Sequence, residues 1–331
     1  MSDAERAKHE EDYFRYLLTL PGARKAKQGV LLDHPDGGFH VRGLVKVPDD
    51  LPPEAHLYLE FCTEKETRRI LEIKNSSDYL MKRRADAIAD HPRLVRQITT
   101  KKDAWAKAGR TWSLTGYYNS LNNPAKAYIE KLPKRDRLRL NAVPYGFAPL
   151  NQPNGLCFRS LVGDVIIVSD SLRQFFYFWC LASLGDFYKL DLEQRVHALI
   201  IALRIMKGSE APDFEIDPRE KLASAVRAEV NADVDWMMQF TFAHEFAHYS
   251  LGDLDASVEP STDEVVFAHA LEYAADARAI SSHGLNGFRA RKLLWAAHQV
   301  LLSFHALERF GETRNDFPSF SVSNGSVAQI A

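Results

Sequence analysis

The chain has 331 residues, of which 46% are hydrophobic and 26% charged, with a formal net charge of −2. That balance excludes a disordered or fibrous chain, gives no overall bias towards nucleic acid, and admits one large or two modest domains. Its three cysteines, Cys62, Cys157 and Cys180, are odd in number and lack metal-ligand spacing, which argues against a disulfide framework and for a reducing compartment.

The N-terminus is charged and has no signal-like apolar region. Ser2 and Glu5 fit a capping box, and the first helix runs to Leu18 before Pro21-Gly22 stops it. Phe39, Val41, Val45 and Val47 alternate, predicting a strand over 39–47 with a bulge at Gly43. A second strand is expected over 56–62. A helix follows over 78–107, broken near His91-Pro92, and residues 119–124 read as a loop.

Charge is unevenly spread. Residues 65–139 hold 19 Lys/Arg against 8 Asp/Glu, a local net of +11, so the rest of the chain carries −13. Trp105, Trp112, Tyr117 and Tyr118 lie among these cations. Such a region suits nucleic acid or an acidic protein surface; the alternative is that the cations only solvate helix faces.

Residues 158–161 and 165–168, joined by Val162-Gly163-Asp164, read as a hairpin. Asp170 or Ser171 then caps a helix that runs to Leu184, and another helix spans 191–207 before Gly208. Further helices are expected over 218–230, over 234–251 with Gly252 just past its end, over 270–279, and over 288–310. The greasiest stretches, 175–184 and 196–206, are too short to span a membrane and read as buried helices. Together these features predict a cytoplasmic protein.

The helix over 234–251 carries His244-Glu245-Phe246-Ala247-His248, an HExxH sequence. Histidines four apart lie on one helix face and can reach one metal ion, while Glu245 can take a proton from a water at that ion. With 12 histidines in the chain, a chance match arises about a few times in a hundred, so context decides. Phe242 and Phe246 can anchor this helix to a core, and two polar ligands on a buried helix need a partner. A hydrolytic zinc site needs a third ligand. In Leu271-Glu272-Tyr273-Ala274-Ala275-Asp276-Ala277, Glu272 and Asp276 share a helix face, and the alanines permit close approach. Glu272 is therefore the expected third ligand. Asp276 is expected to accept a hydrogen bond from the other nitrogen of His244. His269, three residues before Glu272, is a rival ligand.

HExxH followed by E-x-x-A-D resembles the gluzincin metallopeptidases, in particular the CAAX prenyl protease and heat-shock protease branch and the Lit-type phage-exclusion peptidases. Asn141-Ala142-Val143 and the strand-like Val165–Ser169 segment resemble the part of that family ahead of the metal helix, so the resemblance covers roughly 141–282. It implies an α+β fold: a mainly helical zincin-like metallopeptidase domain with a small sheet over 141–312, preceded by a basic α/β recognition region over 1–140 and followed by a tail over 313–331. It implies a Zn2+-dependent endopeptidase acting on a protein or peptide, in a regulatory or phage-defence role. His244, His248 and Glu272 would hold the zinc and Glu245 would be the general base. Val165, Ile166, Ile167 and Val168 would pair with an extended substrate. Tyr249, His283, His298 and His305 are the candidates for the group that stabilises the oxyanion. Two other readings stand beside it: a nucleic-acid- or protein-binding regulator with a structural or degenerate metal site, and a hydrolase of small amides or esters.

Overall fold

A computed structural model describes residues 3–26, 29–32, 39–41, 47–48, 50–150, 153–207, 217–255, 264–281 and 287–312. The fold is mainly helical α+β with two small sheets. The chain divides into two compact units, Met1–Tyr117 and Tyr118–Ala331. Residues 118–140 thus belong with the HExxH helix, whereas the sequence placed them in the N-terminal region.

The first unit opens with α1 (Asp3–Leu17) and an antiparallel sheet of β1 (Ala23–Lys25), β2 (Val30–Leu32) and β3 (Phe39–Val41). The cap expected at Ser2 and positions 42–46 of the predicted strand lie outside the described residues. The second predicted strand is instead α2 (His56–Leu59) and the turn after it. The buried positions there are Tyr58, Phe61 and Cys62, spaced i, i+3, i+4, which is the spacing of a helix face and not of a strand. The helices α3 (Glu64–Leu71), α4 (Ser76–Ala89) and α5 (Pro92–Lys107) follow, with the expected break at His91-Pro92. A capping box between Thr63 and Glu66 starts α3, and the Glu66 carboxylate also accepts from the N–H groups of Leu114 and Thr115.

After α6 (Leu114–Leu121), the second unit continues with α7 (Asn123–Ile129) and α8 (Lys134–Asn141). The loop expected over 119–124 is thus largely helical. Pro124 lies in the first turn of α7, where its missing N–H costs nothing. Three strands follow: β4 (Tyr145–Ala148), β5 (Gly155–Ser160) and β6 (Gly163–Ser169). The sheet order is β4-β6-β5, with β4 parallel and β5 antiparallel to β6. The predicted hairpin is present, but Ser160 pairs with Gly163, so Leu161 and Val162 make the turn. Ser169, rather than Asp170 or Ser171, caps α9 (Asp170–Ser183). Asp191 and Gln194 form a capping box at the start of α10 (Leu192–Met206), which packs on α9.

The centre of this unit is α11 (Ser224–Leu251), 28 residues long. It merges two helices expected separately, because Asn231, Ala232 and Asp233 contain no breaker; only Pro218–Lys221 stands apart, as a 3-10 turn. α11 packs against α7, α9 and β5, and against α12 (Glu264–Ser281) and α13 (Gly287–Glu312). Its Phe242 and Phe246 are buried. Phe242 meets Phe147 of β4 edge-on with centroids 5.2 Å apart, and Phe246 meets Tyr145 at 5.3 Å. Burying each ring contributes about 1.5–3 kcal/mol, and the two together fix the rotation of α11. Gly252, at φ +85°, ends the helix in the left-handed conformation and donates its N–H to the His248 carbonyl. Among the described residues no helix is long and apolar enough to cross a membrane.

Candidate metal centre

The rotation of α11 sends His244 and His248 out on the side opposite Phe246, with their Nε2 atoms 3.0 Å apart. α12 comes close because the residues it buries are small: Ala275 and Ala279 are fully covered. The Tyr128 hydroxyl donates to the Ala279 carbonyl at 3.0 Å, and Arg278 pairs with Asp136 at 3.2 Å, fastening α12 in place. The Glu272 carboxylate thereby reaches 3.1 Å from His244 Nε2 and 3.6 Å from His248 Nε2. These three residues are the group among the described residues whose atoms could hold one metal ion. A tetrahedral ion with bonds of about 2.0–2.1 Å sets its ligand atoms roughly 3.3 Å apart, so the observed separations suit such an ion.

The outer nitrogens are also held. His244 Nδ1 lies 2.9 Å from Asp276 Oδ1, and His248 Nδ1 lies 2.7 Å from Asp253 Oδ2. A carboxylate can only accept, so each Nδ1 carries a hydrogen and each Nε2 is turned inward, where its lone pair becomes available to a metal once that nitrogen gives up its own proton. Asp276 occupies the place read from the sequence. Asp253 was not foreseen. It sits in the 3-10 turn Asp253–Asp255, where left-handed Gly252 folds the chain back beside the last turn of α11. An acid directly after a helix-ending glycine, five residues past the second histidine, was the signal available. Arg159 of β5 pairs with both Asp164 and Asp255 at 2.8 Å, tying this turn to the hairpin.

Without an ion the cluster holds protons tightly. Burial works against the charged form of His244, but the hydrogen bonds it donates to Asp276 and Glu272 outweigh it and raise its pKa to about 10. His248 is raised in the same way, burial being overcome chiefly by Glu272. Burial also acts on Glu272, yet its hydrogen bonds to both histidines bring it well below the usual carboxylate range. Glu245 behaves oppositely: burial raises its pKa, and the two histidines only partly offset this. It is 7% exposed, and among the described residues no hydrogen bond to its carboxylate is found.

Other expected site residues are not drawn into this cluster. The Tyr249 ring is stacked by Arg139, 5.0 Å from its centroid. His298 and His305 are exposed on the face of α13 opposite buried Leu293, Ala297 and Val300. His283 and the side chain of His269 lie outside the described residues. The expectation for Val165, Ile166, Ile167 and Val168 is corrected. β6 is the middle strand, bonded on one side to β4 and on the other to β5, so these residues have no edge left for a substrate. In the basic region the aromatics serve the protein's own packing. Trp112 is buried, meets Trp105 at 5.3 Å and Tyr117 at 5.8 Å, and donates to the Phe61 carbonyl; Arg110 covers the face of Trp105 at 3.7 Å. Tyr118 is buried and donates to Asp170. Comparison with family models, curated proteins and solved structures finds no match to the chain.

Proposed function

We propose that this chain is a zinc-dependent endopeptidase. The observation that carries the reading is the convergence of His244, His248 and Glu272 within 3.0–3.6 Å of one another, beside the buried carboxylate-bearing side chain of Glu245. Two imidazoles and one carboxylate are the donor set of many hydrolytic zinc sites, and three protein ligands leave a fourth position for solvent or substrate. When bound, zinc supplies Lewis acidity that makes water acidic and polarises the scissile carbonyl.

The chain's own residues supply the rest. Asp276 and Asp253 hold the imidazoles in the tautomer that points Nε2 inward. Glu245 takes the proton of the attacking water and delivers it to the leaving amine. With β6 bonded on both sides, the outer edge of β5 is the better candidate to pair with an extended peptide, and β5 packs directly against α11.

The regulatory or phage-defence setting rests on the resemblance to Lit-type peptidases alone. Three free cysteines fit a reducing compartment and support a cytoplasmic location. The cations of 65–139 remain a candidate surface for an acidic protein or nucleic acid. Replacing Glu245 with Gln tests the main reading: it should keep one zinc per chain and abolish cleavage of fluorescein-labelled casein. Loss of zinc in that variant would make Glu245 a ligand. A fourth protein ligand in the zinc-loaded protein would favour the structural-metal regulator instead.

A further inference from the structure

Gly155 occupies an ordinary position in β5, paired with Val168, and its φ lies outside the left-handed region. Gly155 is the first residue of β5, and the backbone there does not require glycine. What requires it is a neighbour. A β-carbon at 155 would overlap Glu245 Oε1 and stand 2.9 Å from Cδ and 3.0 Å from Cγ. All three atoms are the outer part of one flexible side chain, and none is backbone. Among the described residues no hydrogen bond to that carboxylate is found, so packing and the charges of the two histidines are what hold it. Cys157 and Arg159 share the strand face of Gly155. Burial raises the Cys157 thiol's pKa, and the charges of Glu245, Asp164 and Asp253 raise it further, which places this face of β5 along the site. Arg159 continues it to Asp255.

We propose that Gly155 is the positioning residue for Glu245: its missing side chain leaves the space in which the carboxylate stands beside His244 and His248. This rests on the peptidase reading for its consequence in turnover but not for its geometry. A methyl group at 155 is accommodated by swinging the carboxylate aside, so the fold and the three metal ligands survive while the base is misplaced.

The experiment compares zinc-loaded Gly155→Ala with wild type and with Leu161→Ala, a control at the exposed hairpin turn. Gly155→Ala should bind one zinc with affinity within about threefold of wild type. Its kcat on fluorescein-labelled casein should fall about 100-fold, the lower range for a general base, with KM changed far less. Its crystal structure should show the Glu245 carboxylate displaced by more than about 1 Å, set by the overlap the methyl would create. An unmoved carboxylate, or kcat within threefold of wild type, overturns the proposal. If wild type itself leaves casein intact, the peptidase reading fails and the carboxylate position alone decides. If Gly155→Ala does not fold, the double variant Gly155→Ala with Glu245→Ala decides. It should recover the thermal midpoint of Glu245→Ala alone, and failure to do so means that the glycine serves something other than Glu245.

Discussion

Asp253 Oδ2 stands 2.7 Å from His248 Nδ1, making the residue that follows the helix-ending glycine a support of the second histidine. The two imidazoles are thus held alike, one from α12 by Asp276 and one from the turn after α11 by Asp253. Removing such an outer carboxylate usually lowers metal affinity by about 10–100-fold. Asp253→Ala should therefore weaken zinc binding by that factor, measured by competition with a chromogenic chelator, while Asp255→Ala, two residues further along the same turn, should weaken it much less. Equal affinities for Asp253→Ala and wild type would show that His248 is oriented by packing alone.

Proton and metal compete for the same nitrogens. With His244 raised to about 10, the ion-free protein keeps an imidazolium between Asp276 and Glu272 at neutral pH. A pKa above the ordinary 6.5 stabilises the folded state fully below that value, and the contribution fades as pH rises towards 10. The thermal midpoint of chelator-treated protein should thus fall over that window, whereas zinc-loaded protein, whose Nε2 atoms carry no proton, should lack this decline. Zinc uptake should release protons, and its apparent affinity should climb with pH across the same range. A pH-independent affinity measured by calorimetry in two buffers of different ionisation enthalpy would contradict the coupling.

Much of this centre was legible because its information is local. His244 and His248 are one helical turn apart, as are Glu272 and Asp276, and helical spacing alone sets each pair on one face. The apolar Phe242 and Phe246 announced the opposite face. The errors arose where tertiary pairing decides. A strand of four consecutive apolar residues, Val165 to Val168, reads as substrate-binding or as sheet centre equally well; only the partners on both sides reveal the latter. Residues 56–62 read as a strand until Tyr58, Phe61 and Cys62 are found buried together. Asp253 contacts His248 because Gly252 reverses the chain; the helix-ending glycine was legible, but which side chain the next acid would meet is settled by the turn that follows it.

The anchoring of α11 should be energetically visible. Phe242 is fully buried against Phe147 and lies on the side of α11 away from the histidines. Truncating a buried Phe to Ala typically costs about 3–5 kcal/mol, transfer and cavity together. Phe242→Ala should lose that much in urea unfolding of the zinc-loaded protein and should also weaken zinc, because the helix rotation that aims both imidazoles is no longer fixed. Loss of stability with undiminished zinc affinity would show that α12 alone suffices to assemble the ligands.

Gly252 offers a separable test of the turn that carries Asp253. Its φ of +85° is left-handed, yet a β-carbon there would meet nothing within 4 Å. The cost of Gly252→Ala is therefore conformational rather than steric against neighbours, about 1–2 kcal/mol for an L-residue in that region. Asn tolerates the left-handed region better, so Gly252→Asn should recover part of the loss. Because the same φ places Asp253 beside His248, the order of zinc affinity should follow the order of stability: Gly above Asn above Ala. Chemical denaturation and chelator competition on the three proteins would establish both orders. An alanine variant that is destabilised but binds zinc as wild type does would separate the cap from the metal centre.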